Sequence, residues 1–172
     1  MEQRRRLLLR GRLASTAAPG LGSVPRPPWA LDEPDFTATC TRCGDCLRAC
    51  PQHVLLAGDG GFPEIRFETR GCTFCGECVR ACKTAALSRP KAQPPWSLKA
   101  TIGEACLARR RVECRVCGEL CDARALSFRP TLGSVAQPVF DVAACTGCGD
   151  CVAPCPVNAI EVVASGVPAA RR

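Results

Sequence analysis

Sixteen of the 172 residues are cysteines, and they sort into four groups of four with none left over. "CTRCGDCLRACP" supplies Cys40, Cys43, Cys46 and Cys50, and "CTFCGECVRACK" supplies Cys72, Cys75, Cys78 and Cys82. "ACLARRRVECRVCGELC" contains Cys106, Cys114, Cys117 and Cys121, and "CTGCGDCVAPCP" contains Cys145, Cys148, Cys151 and Cys155. Three of the groups share the spacing C-x2-C-x2-C-x3-C. A cuboidal 4Fe–4S cluster presents four iron corners, each taking one thiolate, and three closely spaced cysteines on a tight loop can wrap three corners of one cube. Gly44, Gly76 and Gly149 hold the same place in their loops, where the lack of a side chain lets the backbone turn towards the sulfurs. Two other chemistries use cysteine at this density. Zinc brings two C-x2–4-C pairs together and needs no third close cysteine. A disulfide framework would set the neighbouring cysteines of one loop in competition. The repeated spacing favours 4Fe–4S clusters, four per chain, over both.

The fourth cysteine of such a motif binds the other cube of a two-cluster unit. The spacing therefore predicts crossed ligation, Cys40, Cys43 and Cys46 with Cys82, and Cys72, Cys75 and Cys78 with Cys50. In the second half it predicts Cys145, Cys148 and Cys151 with Cys121, and Cys106, Cys114 and Cys117 with Cys155. The two gaps agree, with 21 residues between Cys50 and Cys72 and 23 between Cys121 and Cys145.

Elements must carry the fourth cysteine away from its own loop. A short helix is expected after each third cysteine, with Pro51 and Pro156 in the exit turns. Residues 54–67 and 125–145 have turn residues between apolar runs and read as hairpins, and 159–165 reads as a closing strand. The fold class expected is α+β, two tandem two-cluster units of bacterial-ferredoxin type with short helices and hairpins and a flexible basic N-terminal arm. The boundaries are 1–34 for the arm, 35–87 for the first unit, 88–100 for a Pro-rich linker, 101–165 for the second unit and 166–172 for a tail. "PPW" precedes each cysteine pair, at 27–29 and 94–96, and its tryptophan is expected to pack. His53 reads as a helix-end or surface residue.

The third motif is widened by five residues between Cys106 and Cys114. The economical reading keeps Cys106 as a ligand and lets the insertion bulge outwards. Arg109, Arg110 and Arg111 would then sit near a negatively charged cluster, raise its potential by favouring the reduced state, and offer a dock to an acidic partner.

Composition points the same way. With six Phe, two Trp and no Tyr, the chain has too few large apolar side chains to rest on burial alone. The formal charge of +7 is uneven, since residues 1–30 carry +5 of it. A basic tip suits an anionic partner or surface, but no nucleic-acid motif accompanies it. Four oxidised clusters would add roughly −8 and bring the loaded chain near neutrality. The early arginines and leucines faintly resemble a twin-arginine leader, yet Arg10 and Arg12 interrupt the apolar run. No membrane span is expected, and the cytoplasm is the expected location.

Taken together, "RPPWA", "CTRCGDCLRACP", "TIGEACLARRRVECRVCGELC", "FRPTLGS" and "CTGCGDCVAPCPVNAI" closely resemble the NapF-type ferredoxins of periplasmic nitrate reductase systems. The likeness spans nearly the whole chain. It implies a cytoplasmic iron–sulfur protein that meets the molybdenum-containing catalytic subunit of nitrate reductase before that subunit is exported, and acts in its maturation. One departure is Lys83, where proline follows Cys50 and Cys155. The alternative is a general electron-transfer polyferredoxin between redox partners. A weaker alternative is a subunit of a larger membrane-attached oxidoreductase. With no flavin, nucleotide or molybdenum motif and no acid–base constellation, catalysis by the chain alone is not expected.

Overall fold

The structure is a computed structural model, and it describes residues 25–91 and 93–165. The first 24 residues of the expected basic arm, including Arg4, Arg5, Arg6, Arg10 and Arg12, lie outside the described residues, as does the tail 166–172.

Among the described residues, four short α-helices and six strands follow one another. Helix α1 spans Glu33–Thr39, α2 Asp45–Arg48, α3 Glu77–Ala81 and α4 Val116–Glu119. Strands β1 (Leu55–Ala57) and β2 (Pro63–Ile65) form the first hairpin, and β4 (Leu126–Thr131) and β5 (Ser134–Phe140) the second. Both expected hairpins are present. The glycine-rich turn 58–61 closes the first, with Gly60 and Gly61 at φ of 60° and 78°. The second turns through Leu132 and Gly133 (φ 70°) and carries a register shift between Arg129 and Thr131. Pro130 lies there with no N–H for the ladder.

Strand β6 (Ile160–Ala164) is the expected closing strand, and it pairs antiparallel with β3 (Leu98–Ile102) over five residue pairs. The first half has the same terminal pairing in reduced form. A single bridge joins Ala30 to Leu87, flanked by Leu31 N–H to the Ala86 carbonyl (3.1 Å) and Ser88 N–H to the Trp29 carbonyl (2.9 Å). Each half thus folds as a central hairpin plus a pair made from its own two ends.

Three boundaries differ from expectation. Strand β3 starts at Leu98, inside the segment 88–100 expected to link, because Leu98 and Ala100 are buried against β6. Residues 25–31 are packed and are not part of a solvated arm, whereas 32–34 are exposed. Pro28 and Trp29 are buried, and Arg26 reaches Glu33 (2.6 Å) and the Pro63 carbonyl (3.3 Å) while its guanidinium lies 5.2 Å and 5.5 Å from the Phe36 and Phe62 rings. The helices also begin earlier than expected. α2, α3 and α4 contain the third cysteine of their motifs, Cys46, Cys78 and Cys117. In α2 and α3 this is because Gly44 and Gly76 at φ of 75° and 78° start the turn directly before the helix, whereas α4 follows Arg115 with no left-handed residue. The fourth motif has turns in place of a helix. Pro154 there lacks the N–H that a helix would need.

Two buried groups form the core. The first gathers Phe36, Val54, Leu55, Ile65, Phe67 and Leu87 with Cys50 and Cys78. The second gathers Ala100, Ala125, Leu126 and Ile160 with Cys145 and Cys151. Val152 and Val162 pack against both groups. The core is small and interleaved with thiols, so apolar burial and the cysteine sites are one structural unit.

Candidate metal centres

The cysteines converge on separate cavities. One space is walled by Cys40, Cys43, Cys46 and Cys82. A second is walled by Cys50, Cys72, Cys75 and Cys78. A third is walled by Cys121, Cys145, Cys148 and Cys151. Four sulfurs around each suit one kind of occupant in all three. In the widened motif, Cys117 feels the negative charge of Cys106, Cys114 and Cys155, the remaining four-thiol set. Among the described residues, no three His, Cys, Asp or Glu side chains close tightly enough to hold one metal ion. The sulfurs stand around spaces that a multi-atom group would span. All sixteen cysteines are free thiols.

The first loops reach this arrangement through left-handed backbone. The residue before the second cysteine has a positive φ in three motifs, at Arg42 (59°), Phe74 (54°) and Gly147 (74°). A second such position follows each fourth cysteine by three residues, at His53, Ala85, Arg124 and Asn158, with φ between 48° and 59°. Non-glycine residues rarely adopt this region, and its fourfold recurrence marks a functional turn. His53 therefore is an exposed turn residue, five places beyond the end of α2, whose N–H donates to the Cys50 carbonyl (3.1 Å). The turn aims amides back at sulfur. Ala159 N–H donates to Cys155 Sγ (3.2 Å), Phe74 N–H to Cys72 Sγ (3.4 Å), and Cys82 Sγ lies 3.8 Å from the Thr84 hydroxyl with the backbone amides of Leu87, Thr84 and Ala86 favouring its charged form.

Those amides decide the thiol's charge. Burial raises the Cys82 pKa, but the three amides and the Thr84 hydroxyl outweigh it and leave the thiol more acidic than usual. Desolvation wins elsewhere. It pushes Cys46, Cys72, Cys78 and Cys117 up to about 11, and Cys151 up to about 12, with neighbouring cysteines adding to the shift. Buried thiolates crowded together need a cationic group between them, which iron supplies.

Two further residues fit an iron–sulfur occupant. Trp29 lines the cavity of the second motif, and its Nε1 is buried with no acceptor in the protein. A cluster sulfur would provide one. Lys83, which departs from the proline of its siblings, places Nζ 3.2 Å from Asp45 Oδ2. Both residues line the first cavity, so that pair ties its two edges.

The widened motif is more tightly held than an outward bulge. Ala108 is fully buried, and its carbonyl accepts from Gln137 Nε2 (2.8 Å). Arg110 N–H donates to the Cys106 carbonyl (3.1 Å), and Val112 N–H to the Leu107 carbonyl (2.9 Å). The three arginines ride on this turn and are exposed. Arg109 pairs with Glu104 (2.7 Å) and Arg110 Nε donates to the Glu104 carbonyl (3.3 Å), while Arg111 has no ion pair among the described residues. Val112, Val116 and Leu120 are exposed on the same motif.

What sequence reasoning passed over is the joint between the halves. Cys72 N–H donates to the Cys148 carbonyl (2.7 Å) and Gly71 N–H to Asp150 Oδ1 (3.0 Å). Trp96 Nε1 donates to the Thr146 carbonyl (2.9 Å), and Trp29 N–H to the Pro95 carbonyl (2.7 Å). Phe74 stands edge-on to both tryptophans, at 6.4 Å from Trp29 and 5.2 Å from Trp96. The repeated "PPW" was the available signal. Nothing in it says that the two copies meet on one phenylalanine.

Residues 39–86 and 110–166 match the 4Fe-4S dicluster domain family, once in each half. The chain is thus an iron–sulfur protein of the dicluster ferredoxin class. Its relatives narrow this. The chain is 52% identical over 137 residues to the ferredoxin-type protein NapF of Haemophilus influenzae, covering 80% of this chain and 77% of that one. It is 43% identical over 135 residues to NapF of Escherichia coli K12, covering 78% and 82%. It is also 35% identical over 163 residues to the methylamine utilization ferredoxin-type protein MauM of Paracoccus denitrificans, covering 83% and 71%. The chain belongs to the NapF-type ferredoxin family. Among the described residues no helix is long and apolar enough to cross a membrane.

Proposed function

We propose that the sixteen cysteines hold four 4Fe–4S clusters in two tandem ferredoxin-like units, ligated crosswise as the spacing predicts, with the basic arm ahead of them. The observation that carries this is the sorting of twelve cysteines around three cavities, each with three sulfurs of one motif and the last sulfur of another. The cysteines that surround Cys117, including Cys155 from the fourth motif, support the remaining set with Cys106 in it. A bound cluster of this kind accepts and returns single electrons. The chain's residues hold it, exclude water from the buried sulfurs and donate amides to them.

The function that fits is an accessory to periplasmic nitrate reductase, acting in the cytoplasm on the molybdenum-containing catalytic subunit before export. Likeness to NapF over about four-fifths of the chain supports it. The third motif supplies a surface for such a partner. Arg109, Arg110 and Arg111 beside exposed Val112, Val116 and Leu120 combine charge with apolar contact, the mixture found at protein interfaces. The second function is a general electron carrier, favoured by the likeness to MauM, a ferredoxin-type protein named for another system.

The test is anaerobic. The loaded chain is mixed with the cluster-free catalytic subunit of a periplasmic nitrate reductase, the two are separated, and iron is assayed on each. Iron gained by the subunit with matching loss here is the expected result for a maturation factor. A complex without iron transfer would leave electron delivery or chaperoning as the role. Absence of any complex would favour the general carrier.

A further inference from the structure

We infer that the four proposed sites form one linear array in the order first, second, fourth, third motif, with the two halves joined through the loops of the second and fourth. The inference rests on the proposed ligand sets. Within each half the crossed cysteines already make neighbours of the two sites. What is new is which site of one half meets which site of the other. The backbone decides it. Cys72 and Cys148 are proposed ligands in different halves, and one hydrogen bond of 2.7 Å joins them directly.

The surrounding contacts make this a built joint. Gly71, next to Cys72, donates to Asp150, next to Cys151. Gly149 holds φ at 87°, and a Cβ on it would meet the Phe67 ring at 2.2 Å, so the fourth loop approaches the first half as closely as glycine permits. Gly147 is as crowded, where a Cβ would lie 2.3 Å from the Leu98 carbonyl oxygen. Trp96 is edge-on to both Phe67 (6.3 Å) and Phe74, and its indole donates to the fourth loop at Thr146. Among the described residues, none of the hydrogen bonds across the joint involves the first or third motif.

Both ends of the array carry exposed basic residues. At one end Arg42 and Lys83 flank the first site, where Cys43 is exposed, as is Cys75 of the second site. At the other stand the three arginines with exposed Val112 and Val116. An electron from a one-electron donor protein docked at one end would cross the second and fourth sites and leave to a one-electron acceptor at the other. Each transfer oxidises one site by one electron and reduces the next by one. A chain that only stores clusters for donation has no need of a joint at this pair.

The test uses the full chain with two sites emptied. Cys40, Cys43, Cys114 and Cys117 are changed to alanine, which leaves the second and fourth sites, about eight iron atoms in all. After reduction, the electron paramagnetic resonance spectrum should show spin–spin interaction between the two. Eight iron atoms with two superimposed isolated signals would overturn the order. About four or fewer iron atoms would count against the ligand sets themselves. Single variants keep the order testable if the quadruple variant is empty. Cys114→Ala removes an end and should leave an interacting trio, whereas Cys148→Ala removes a middle site and should leave one interacting pair and one isolated signal. Identical spectra from the two would overturn it. Asp150→Ala keeps every cysteine and should weaken the interaction across the joint.

Discussion

Arg26 shows how one residue can be mistaken for another kind. In the sequence it is the last of a run of N-terminal arginines, and its charge is indistinguishable from theirs. In the fold it joins Glu33, reaches within 4.0 Å of the buried Glu64, and has its guanidinium against two phenylalanine rings. Arg26→Ala should cost about 1–2 kcal/mol in denaturant unfolding, because it removes the contact with two rings and one of the two guanidinium groups near the buried Glu64, which keeps Arg66 and the Asp59 N–H. Arg26→Lys should recover less than half, as an ammonium cannot fork onto Glu33 and stack together. The indole of Trp29 allows a second prediction. Trp29→Phe keeps most of the ring and removes the unpartnered N–H, so in a redox titration the potential of the second-motif site should fall while the others hold. Thiol acidity gives a third. Cys46, Cys72, Cys78 and Cys117 hold their protons to about 11 and Cys151 to about 12. Iron must displace those protons. Anaerobic loading, followed by visible absorbance, should therefore speed up as pH rises from about 7 to 9. Loading that slowed over that range would contradict the account.

The helices are too short to stand alone. Four or five residues cannot repay the nucleation of a helix, so α2 and α3 depend on the left-handed glycine before them, and all three, α4 included, on the sites around them. This is why the cysteine spacing was legible and the helix boundaries were not. Spacing is set by the cube, whereas the start of α2 and of α3 is set by a left-handed residue one place earlier. The hairpins and β6 were legible from their apolar runs. β3 was hidden because its residues follow "QPPWS", which reads as connection, and only the partner strand sixty residues on makes it a strand. The turns at His53, Ala85, Arg124 and Asn158 share an offset from cysteine and no residue type, so side-chain chemistry could not flag them. Gly149 is the element most open to test. Gly149→Ala adds a strained φ and a Cβ against Phe67, which should cost about 2–4 kcal/mol and empty the fourth-motif site first, read by iron content.

At the scale of the molecule, two half-size cores share Val152 and Val162 and are clamped by two tryptophans on one phenylalanine. The sites lie within those cores, so folding and loading should be one transition, as in small metal-dependent domains. Charge distribution separates holding from docking. Changing Arg109, Arg110 and Arg111 together to alanine should weaken binding of the catalytic subunit roughly 10-fold or more at low salt, and less at high salt, with iron content unchanged. Full binding by the triple variant would contradict a docking role. Every part of the account depends on sixteen cysteines serving four sites. The most direct measurement is iron and acid-labile sulfide per chain, after anaerobic reconstitution and removal of loose metal. The account predicts about sixteen of each, four per cube. A value of about eight, or iron without matching sulfide, would contradict it.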